Sequence, residues 1–258
     1  MSKSLFFFAM VLVGYAAQFV DGTLGMGYGA FSASLLITLG LYPAIASASV
    51  HTAEIFTALV SGVSHLKLGN VKRDLVLSLA IPGVAGGVMG AYFLASIPGK
   101  TIKPFVACGL LVMGIVVLYR FMTGKIPSTP RSEGTSLQKL LALGFVAAFM
   151  DAVGGGGWGP IATPGLILTG NHEPRKVVGS VNLVEFFVTI AEVLTFLLVL
   201  GPEQFRWDIV GALLIGGVVA APLAAFLCKR LPHRMLGILI GIALIGFNLR
   251  TLILSILR

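Results

Sequence analysis

Ten long apolar runs dominate the chain, and a short polar or glycine-containing stretch separates each run from the next. The runs lie near residues 4–20, 26–40, 44–66, 75–97, 101–122, 137–151, 156–170, 175–200, 206–229 and 233–256. A helix needs about 20 apolar residues to cross a membrane, so most of these runs are predicted to be spans. Runs 26–40 and 156–170 are short for a full crossing. Each is therefore either a full span or one arm of a broken or re-entrant unit formed with the preceding run.

The polar and glycine positions repeat between the two halves of the chain. The segment Asp21–Gly40 reads DGTLGMGYGAFSASLLITLG and Asp151–Gly170 reads DAVGGGGWGPIATPGLILTG, so that an aspartate and several glycines recur in register. The sequences PAIASASVHTAE from Pro43 and PRKVVGSVNLVE from Pro174 then share a Pro, a Ser-Val pair and a Glu. The pattern predicts an N-terminal transmembrane repeat over 1–122, a linker over 123–136 and a C-terminal transmembrane repeat over 137–258.

The composition supports a membrane protein. Hydrophobic residues make up 57% of the chain and charged residues only 11%, and the mean hydropathy is +0.98. In soluble domains charged residues account for about a quarter of the chain. The net charge of +8 comes from Lys and Arg that are scattered through loops rather than gathered in a basic stripe, which argues against nucleic acid as a partner.

The basic loops also predict the orientation of the chain. The loops after runs three, five, seven and nine carry twelve Lys and Arg residues, whereas those on the opposite side carry five. The first set is assigned to the cytoplasm, which puts both termini outside and makes 123–136 a cytoplasmic linker. Five runs per half place equivalent loops on opposite sides, and in each compared pair the loop assigned to the cytoplasm is the more basic. The predicted fold is an all-α polytopic membrane protein with two inverted-topology repeats of about five helical segments each, containing broken or re-entrant glycine-rich helices.

The glycine-rich breaks are the best candidates for a binding site. Irregular backbone survives at membrane depth only where it is buried or lines a polar cavity. Helices that start at Tyr28 and Trp158 would aim unpaired N–H groups and positive dipole ends into the breaks, which favours a small oxyanion. The alternative is close helix packing for the glycines and interface anchoring for the two aromatic residues. The candidate backbone positions are Gly25, Gly27, Gly155, Gly156 and Gly157.

The two halves, the paired glycine-rich segments and the P-x5-S-V-x-x-x-E pattern resemble the sulfite exporter TauE/SafE family over essentially the whole chain. The resemblance implies transport of small sulfur oxyanions or organosulfonates across the bacterial inner membrane. One departure is that Leu24 and Met26 stand where the second half has Gly154 and Gly156.

Polar side chains near the breaks are candidate ligands. Ser32 and Thr163 fall within two turns of the predicted helix starts, where a hydroxyl donates either to an oxyanion or to a carbonyl one turn earlier. His51 and Asn182 occupy equivalent positions after the breaks, so that each half would supply one donor. The alternative for His51 is a hydrogen bond to a backbone carbonyl.

Carboxylates lie in or beside the apolar runs, where ionisable residues usually serve a function or are paired. Glu54 and Glu185 are candidates for proton coupling or for hydrogen bonds that hold the broken helices. Asp21 and Asp151 directly precede the breaks and are predicted to cap the backbone there. Glu192 has no acidic counterpart in the first half, so a structural role is its default interpretation.

These features predict a secondary transporter that exports sulfite or a short organosulfonate, bound at the midplane by the paired glycine-broken helices. The alternatives are a passive anion channel and a carrier for another small anion such as a carboxylate. We expect no enzymatic activity, no cofactor and no metal, because no nucleophile–base pair or metal-ligand spacing is present. Cys108 and Cys228 are predicted to be small core residues. The expected partners are the anion and the lipid bilayer, with a homodimer left open.

Overall fold

The computed structural model describes residues 2–123, 136–168, 173–228, 230 and 233–257, and all regular elements in these ranges are helical. The first half contains α1 (Lys3–Leu24), α2 (Tyr28–Thr38), α3 (Pro43–Lys67), α4 (Arg73–Ala95) and α5 (Gly99–Thr123). The second half contains α6 (Leu137–Gly154), α7 (Trp158–Leu168), α8 (Pro174–Leu200), a 3-10 turn (Pro202–Gln204), α9 (Trp207–Leu227) and α10 (His233–Ile256). The all-α polytopic fold is confirmed, whereas most of the predicted linker lies outside the described residues.

Two kinds of helix make up the bundle. Eight helices in the described ranges are long and apolar enough to cross a membrane. The other two, α2 and α7, have 11 residues each. At 1.5 Å per residue an 11-residue helix is about 16 Å long, roughly half of a 30 Å hydrocarbon core. The two short runs therefore form half-length helices that follow the breaks.

The sequence explains where these helices start and stop. Pro43 and Pro174 begin α3 and α8, at a position where the missing N–H of proline costs nothing. Gly25 and Gly155 end α1 and α6 with φ of 69° and 72°, a left-handed conformation that strongly favours glycine. Their N–H groups donate to the carbonyls of Asp21 and Asp151. The two breaks therefore have the same backbone geometry.

The two halves interlock. The most extensive helix contacts join α1 to α9, α4 to α6, α5 to α10 and α3 to α8, and every one of these pairs crosses between halves. Small residues permit the closest approaches, since a Cβ on Gly86 or Gly90 of α4 would overlap the carbonyl groups of Phe145 or Phe149 on α6.

The central helices α3 and α8 run antiparallel. Lys176, at the start of α8, donates to the carbonyl of Gly69, just after α3, while the N–H of Arg206, after α8, donates to Ser49 near the start of α3. The equivalent Ser180 of α8 accepts the N–H of Lys72 before α4. The shared serines of the repeated pattern thus make equivalent bonds, and the antiparallel packing favours the predicted inversion of the repeats.

Polar and apolar residues are distributed as expected for a protein in lipid. Side chains such as Leu77, Ile81 and Leu198 are 72–87% exposed, whereas Asp21, Glu54, Asp151, Glu185 and Glu192 are all buried. The cysteine prediction is wrong for one residue. Cys228 is buried, but Cys108 is exposed on the apolar surface of α5.

Candidate functional site

The two glycine-rich breaks lie against each other inside the bundle. A Cβ on Gly29, in the first turn of α2, would overlap the carbonyl of Gly155, and one on Gly159, in the first turn of α7, would meet the carbonyl oxygen of Gly25 at 2.7 Å. The Thr163 hydroxyl of α7 donates to that same carbonyl. The structure therefore brings the starts of both half-length helices together at one buried place.

Each of these helix starts faces a carboxylate of the preceding helix. Asp151 Oδ1 accepts the N–H of Trp158 at 3.0 Å, and Asp21 accepts the N–H of Tyr28. Both carboxylates are at least 98% buried. The aspartates thus cap the two helices at their positive ends.

The first corner consists of His51, Glu54, Asp151 and Glu192. His51 Nε2 lies 3.1 Å from Glu192 Oε2, 3.4 Å from Asp151 Oδ2 and 3.7 Å from Glu54 Oε2. On the other side of the ring, Nδ1 lies 2.9 Å from the carbonyl oxygen of Ser47. All four side chains of the first corner are 0–2% exposed. One histidine therefore faces three carboxylates inside the membrane protein.

The second corner consists of the equivalent residues Asn182, Glu185, Asp21 and Ser61. Ser61 Oγ donates to Asn182 Oδ1 at 2.6 Å, and Asn182 Nδ2 donates to the carbonyl of Val178 at 3.2 Å. The side chains of His51 and Asn182 thus belong to separate networks. The second corner has a satisfied neutral pair where the first has a histidine and a carboxylate.

The other candidate residues are also buried. Trp158 donates its indole N–H to the carbonyl of Val181 at 3.0 Å. The hydroxyl of Ser32 is buried and has no hydrogen-bond partner among the described residues. Gly27 precedes α2 with φ of 128°, and Tyr28 is completely buried. All of the residues nominated from the sequence are therefore buried.

The contributions of Glu192 and Ser61 to the corners were not predicted, since the default interpretation of Glu192 was a structural role. Glu192 lies two helical turns after Glu185 on α8, and this seven-residue spacing, which keeps both side chains on one helix face, was the available signal. Ser61 lies on α3 seven residues after Glu54 and is the neutral equivalent of Glu192. His51, Asp151 and Glu192 offer ligand atoms within 4.8 Å of one another, so this group is able to hold a metal ion.

Comparison with known sequences agrees with this architecture. Residues 10–251 match the family described as Sulfite exporter TauE/SafE. The chain is 44% identical over 252 residues to "Probable membrane transporter protein YtnM" of Bacillus subtilis (strain 168), covering 97% of this chain and 83% of that protein. A match over nearly the whole chain, together with eight helices able to span a membrane, shows that this multi-pass membrane protein belongs to the TauE/SafE family of transporters.

Proposed function

We propose that this chain is a secondary transporter that exports a small sulfur-containing anion, sulfite or a short organosulfonate, across the bacterial inner membrane. The observation that carries the proposal is the meeting of the two glycine-rich breaks in the buried centre of the bundle. Broken helices in equivalent positions of two repeats form the substrate sites of many secondary transporters. The sulfur chemistry of the substrate follows from the family resemblance.

Asp21 and Asp151 already accept N–H groups of both breaks, so the anion is held by the remaining N–H groups and by a few polar side chains. Ser32 supports this assignment, because its buried hydroxyl has no hydrogen-bond partner among the described residues and lies in the second turn of α2. Asn182 and Thr163 supply further polar groups, while the buried rings of Tyr28 and Trp158 enclose the site. His51 Nε2 faces the carboxylates of the first corner and is not assigned as a donor to the anion.

A carrier explains the buried site better than a channel does. The candidate side chains are 0–4% exposed, so the bundle encloses them. A channel needs a continuous polar path, whereas alternating access passes through states in which the site is closed to both sides. Rocking of the halves is expected to open the site to each side in turn. Glu54 and Glu185, one in each corner, are the candidates for proton coupling to this cycle.

The topology completes the proposal. Both termini lie outside, and the 123–136 linker lies in the cytoplasm. Cysteines introduced one at a time at Ser2 and Leu68, in a Cys108→Ser background, distinguish this orientation from the reverse one. A membrane-impermeant maleimide should label the first in intact cells and the second only in inverted vesicles. The reverse labelling would contradict the proposed orientation. The same purified protein, run on size-exclusion chromatography with light scattering, tests for a homodimer.

The substrate is tested first by binding and then by transport. A ligand that binds only the folded state raises the apparent unfolding temperature. We therefore expect sulfite or a short sulfonate such as sulfoacetate or taurine to raise Tm in detergent, and sulfate and small carboxylates to raise it less. In proteoliposomes, labelled sulfite should show saturable uptake and counterflow. Flux without saturation or counterflow would contradict the carrier mechanism.

Ser32→Ala should weaken sulfite binding about tenfold, because one hydrogen bond to a charged group is worth roughly 1.5 kcal/mol. Ser34→Ala is the matched control on the same helix, since the Ser34 hydroxyl accepts from Asn248 at 2.8 Å and is already used. Absence of a Tm shift with every anion, in protein shown to be folded, would sink the proposed anion site.

A further inference from the structure

The orientation of the His51 ring is fixed by what surrounds Nδ1. The Ser47 carbonyl, 2.9 Å away, only accepts hydrogen bonds, and the Ser47 hydroxyl at 3.1 Å donates its own proton to the carbonyl of Ala152. Nδ1 therefore carries the N–H. Phe196 stacks on the ring with the two planes 21° apart. In the neutral imidazole, the lone pair of Nε2 then points toward the carboxylates of the first corner.

The carboxylates that meet Nε2 are not hydrogen-bonded to it. None of the three contacts has hydrogen-bond geometry, and Nε2, Glu54 Oε2, Asp151 Oδ2 and both oxygens of Glu192 have no hydrogen-bond partner among the described residues. These atoms are buried, so bulk water does not reach them. Acceptor atoms that converge in a dry interior repel each other unless a cation lies between them. The converging acceptors of the first corner are therefore stable only with a bound cation or with protons between them.

The spacing and chemistry of the group select the kind of cation. Around an ion with bonds of about 2.0–2.1 Å, tetrahedral ligands lie about 3.3 Å apart. The distances of 3.1 and 3.4 Å from Nε2 to the Glu192 and Asp151 oxygens fit such a set. An imidazole combined with carboxylates suits Mn²⁺, Fe²⁺ or Zn²⁺ better than an alkali ion. Glu54 Oε2, at 3.7 Å, is within reach as a fourth ligand.

Neighbouring backbone groups fix the orientation of these side chains, as the residues around a metal site do for its ligands. A metal-bound histidine usually donates its other N–H to a carbonyl or carboxylate, as His51 does to Ser47. The second oxygen of Asp151 is fixed by the Trp158 N–H. Gly87 leaves room for Glu192, because a Cβ there would lie 2.9 Å from its Cγ. From these observations we propose that His51, Asp151 and Glu192, with Glu54 as a fourth carboxylate, bind one divalent transition-metal ion.

This site goes beyond the proposed export of an anion and is tested without any anion. The protein is purified in detergent, stripped of metal with a chelator and titrated separately with Mn²⁺, Co²⁺ and Zn²⁺. We expect one ion per chain, visible absorption bands from bound Co²⁺, and an imidazole nitrogen coupling in pulsed electron paramagnetic resonance of bound Mn²⁺. Glu192→Gln and Asp151→Asn should each weaken binding at least tenfold.

Two variants separate this proposal from a general effect of charge or folding. Asp21→Asn makes the same change as Asp151→Asn in the second corner and should alter binding less than threefold. The double variant His51→Asn/Glu192→Ser gives the first corner the residues of the second. It should elute and unfold as a folded protein and bind no ion.

Three results would overturn the metal site: no stoichiometric ion on folded wild-type protein, binding retained by the double variant, or equal losses in Asp21→Asn and Asp151→Asn. If the wild-type protein binds sulfite but no metal, the metal site alone is wrong and protons compensate the carboxylates.

Discussion

The first and second corners share a backbone frame but differ in chemistry. Each has an aspartate that caps a half-length helix and a glutamate three residues after the His51 or Asn182 position. In the second corner the remaining pair is neutral and hydrogen-bonded, with Ser61 donating to Asn182. In the first corner the corresponding Glu192 faces His51 without hydrogen-bond geometry.

The comparison separates the role of holding the broken helices from the role of carrying charge. The parts that hold the broken helices, meaning the caps and the left-handed glycines, are present twice. The histidine with three carboxylates occurs once, whereas the second corner has two carboxylates, Asp21 and Glu185, and no histidine. Both halves can therefore share the same backbone geometry at the breaks, while only the first corner binds the proposed cation. Substitutions that change a side-chain charge should destabilise the protein less than substitutions that add side-chain volume at the breaks. Loss of His51 and loss of Asn182 should have different effects.

The largest effect on stability is expected at a position where one break has a glycine and the other has a larger residue. Gly156 of the second break stands where the first has Met26, and a Cβ on Gly156 would overlap the backbone of Ala30. Gly156→Val should therefore push the breaks apart and destabilise the protein by more than about 3 kcal/mol. Elution profile and Tm in detergent measure this. Gly154→Ala is the control, because its Cβ would make ordinary contact with Leu110 at 3.4 Å. Unchanged Tm in Gly156→Val would show that the breaks do not touch.

The next comparison concerns the central residues of the two corners. His51→Ala removes the histidine that faces three carboxylates and should cost about 3 kcal/mol, the lower end of the range for breaking a buried ionic group. Asn182→Ala removes only a neutral hydrogen bond from Ser61, which costs about 1–2 kcal/mol. Denaturant titrations of both variants in mixed micelles, with chelator present, compare the free energies of unfolding. Equal losses would mean that the first corner holds no net charge for His51 to compensate.

A third comparison concerns the caps, which both corners share. Asp151→Ala removes the acceptor of the Trp158 N–H and should cost about 1 kcal/mol, whereas Asp151→Asn keeps an acceptor oxygen and should cost less. Asp21→Ala and Asp21→Asn should show the same difference at Tyr28. Unfolding measured without metal isolates the cap from the ion. If Asn is as damaging as Ala at both positions, the carboxylate charge matters more than the cap.

The sequence predicted the frame far better than the corners. Run length and the paired glycines located both breaks and the ten helices of the described ranges. Helix length is set by the thickness of the membrane, and the breaks are set by the local conformation of glycine. The partners of His51 were not predictable in the same way. Glu192 lies close to His51 but on another helix. Its counterpart Ser61 has a hydroxyl in place of the carboxylate, so the equivalence of the two positions is not evident from residue type. A search that compared helix faces at the i and i+7 positions of α3 and α8 would have found both.

The smallest expected effect tests the symmetry of the frame itself. Ser49 accepts the N–H of Arg206 at 3.1 Å, and Ser180 accepts that of Lys72 at 2.8 Å, so that each serine joins a central helix to the start of its neighbour. Ser49→Ala and Ser180→Ala should each cost about 1 kcal/mol, because each leaves one backbone N–H without its acceptor. Ser64→Ala is the control, since the Ser64 hydroxyl bonds only the carbonyl of Val60 one turn earlier in its own helix and its loss should be nearly neutral. Chemical unfolding of the three variants measures the free energies. Losses that agree at Ser49 and Ser180 mean that the two halves are held by equivalent bonds. A loss at only one of them would mean that the asymmetry of the corners extends into the frame.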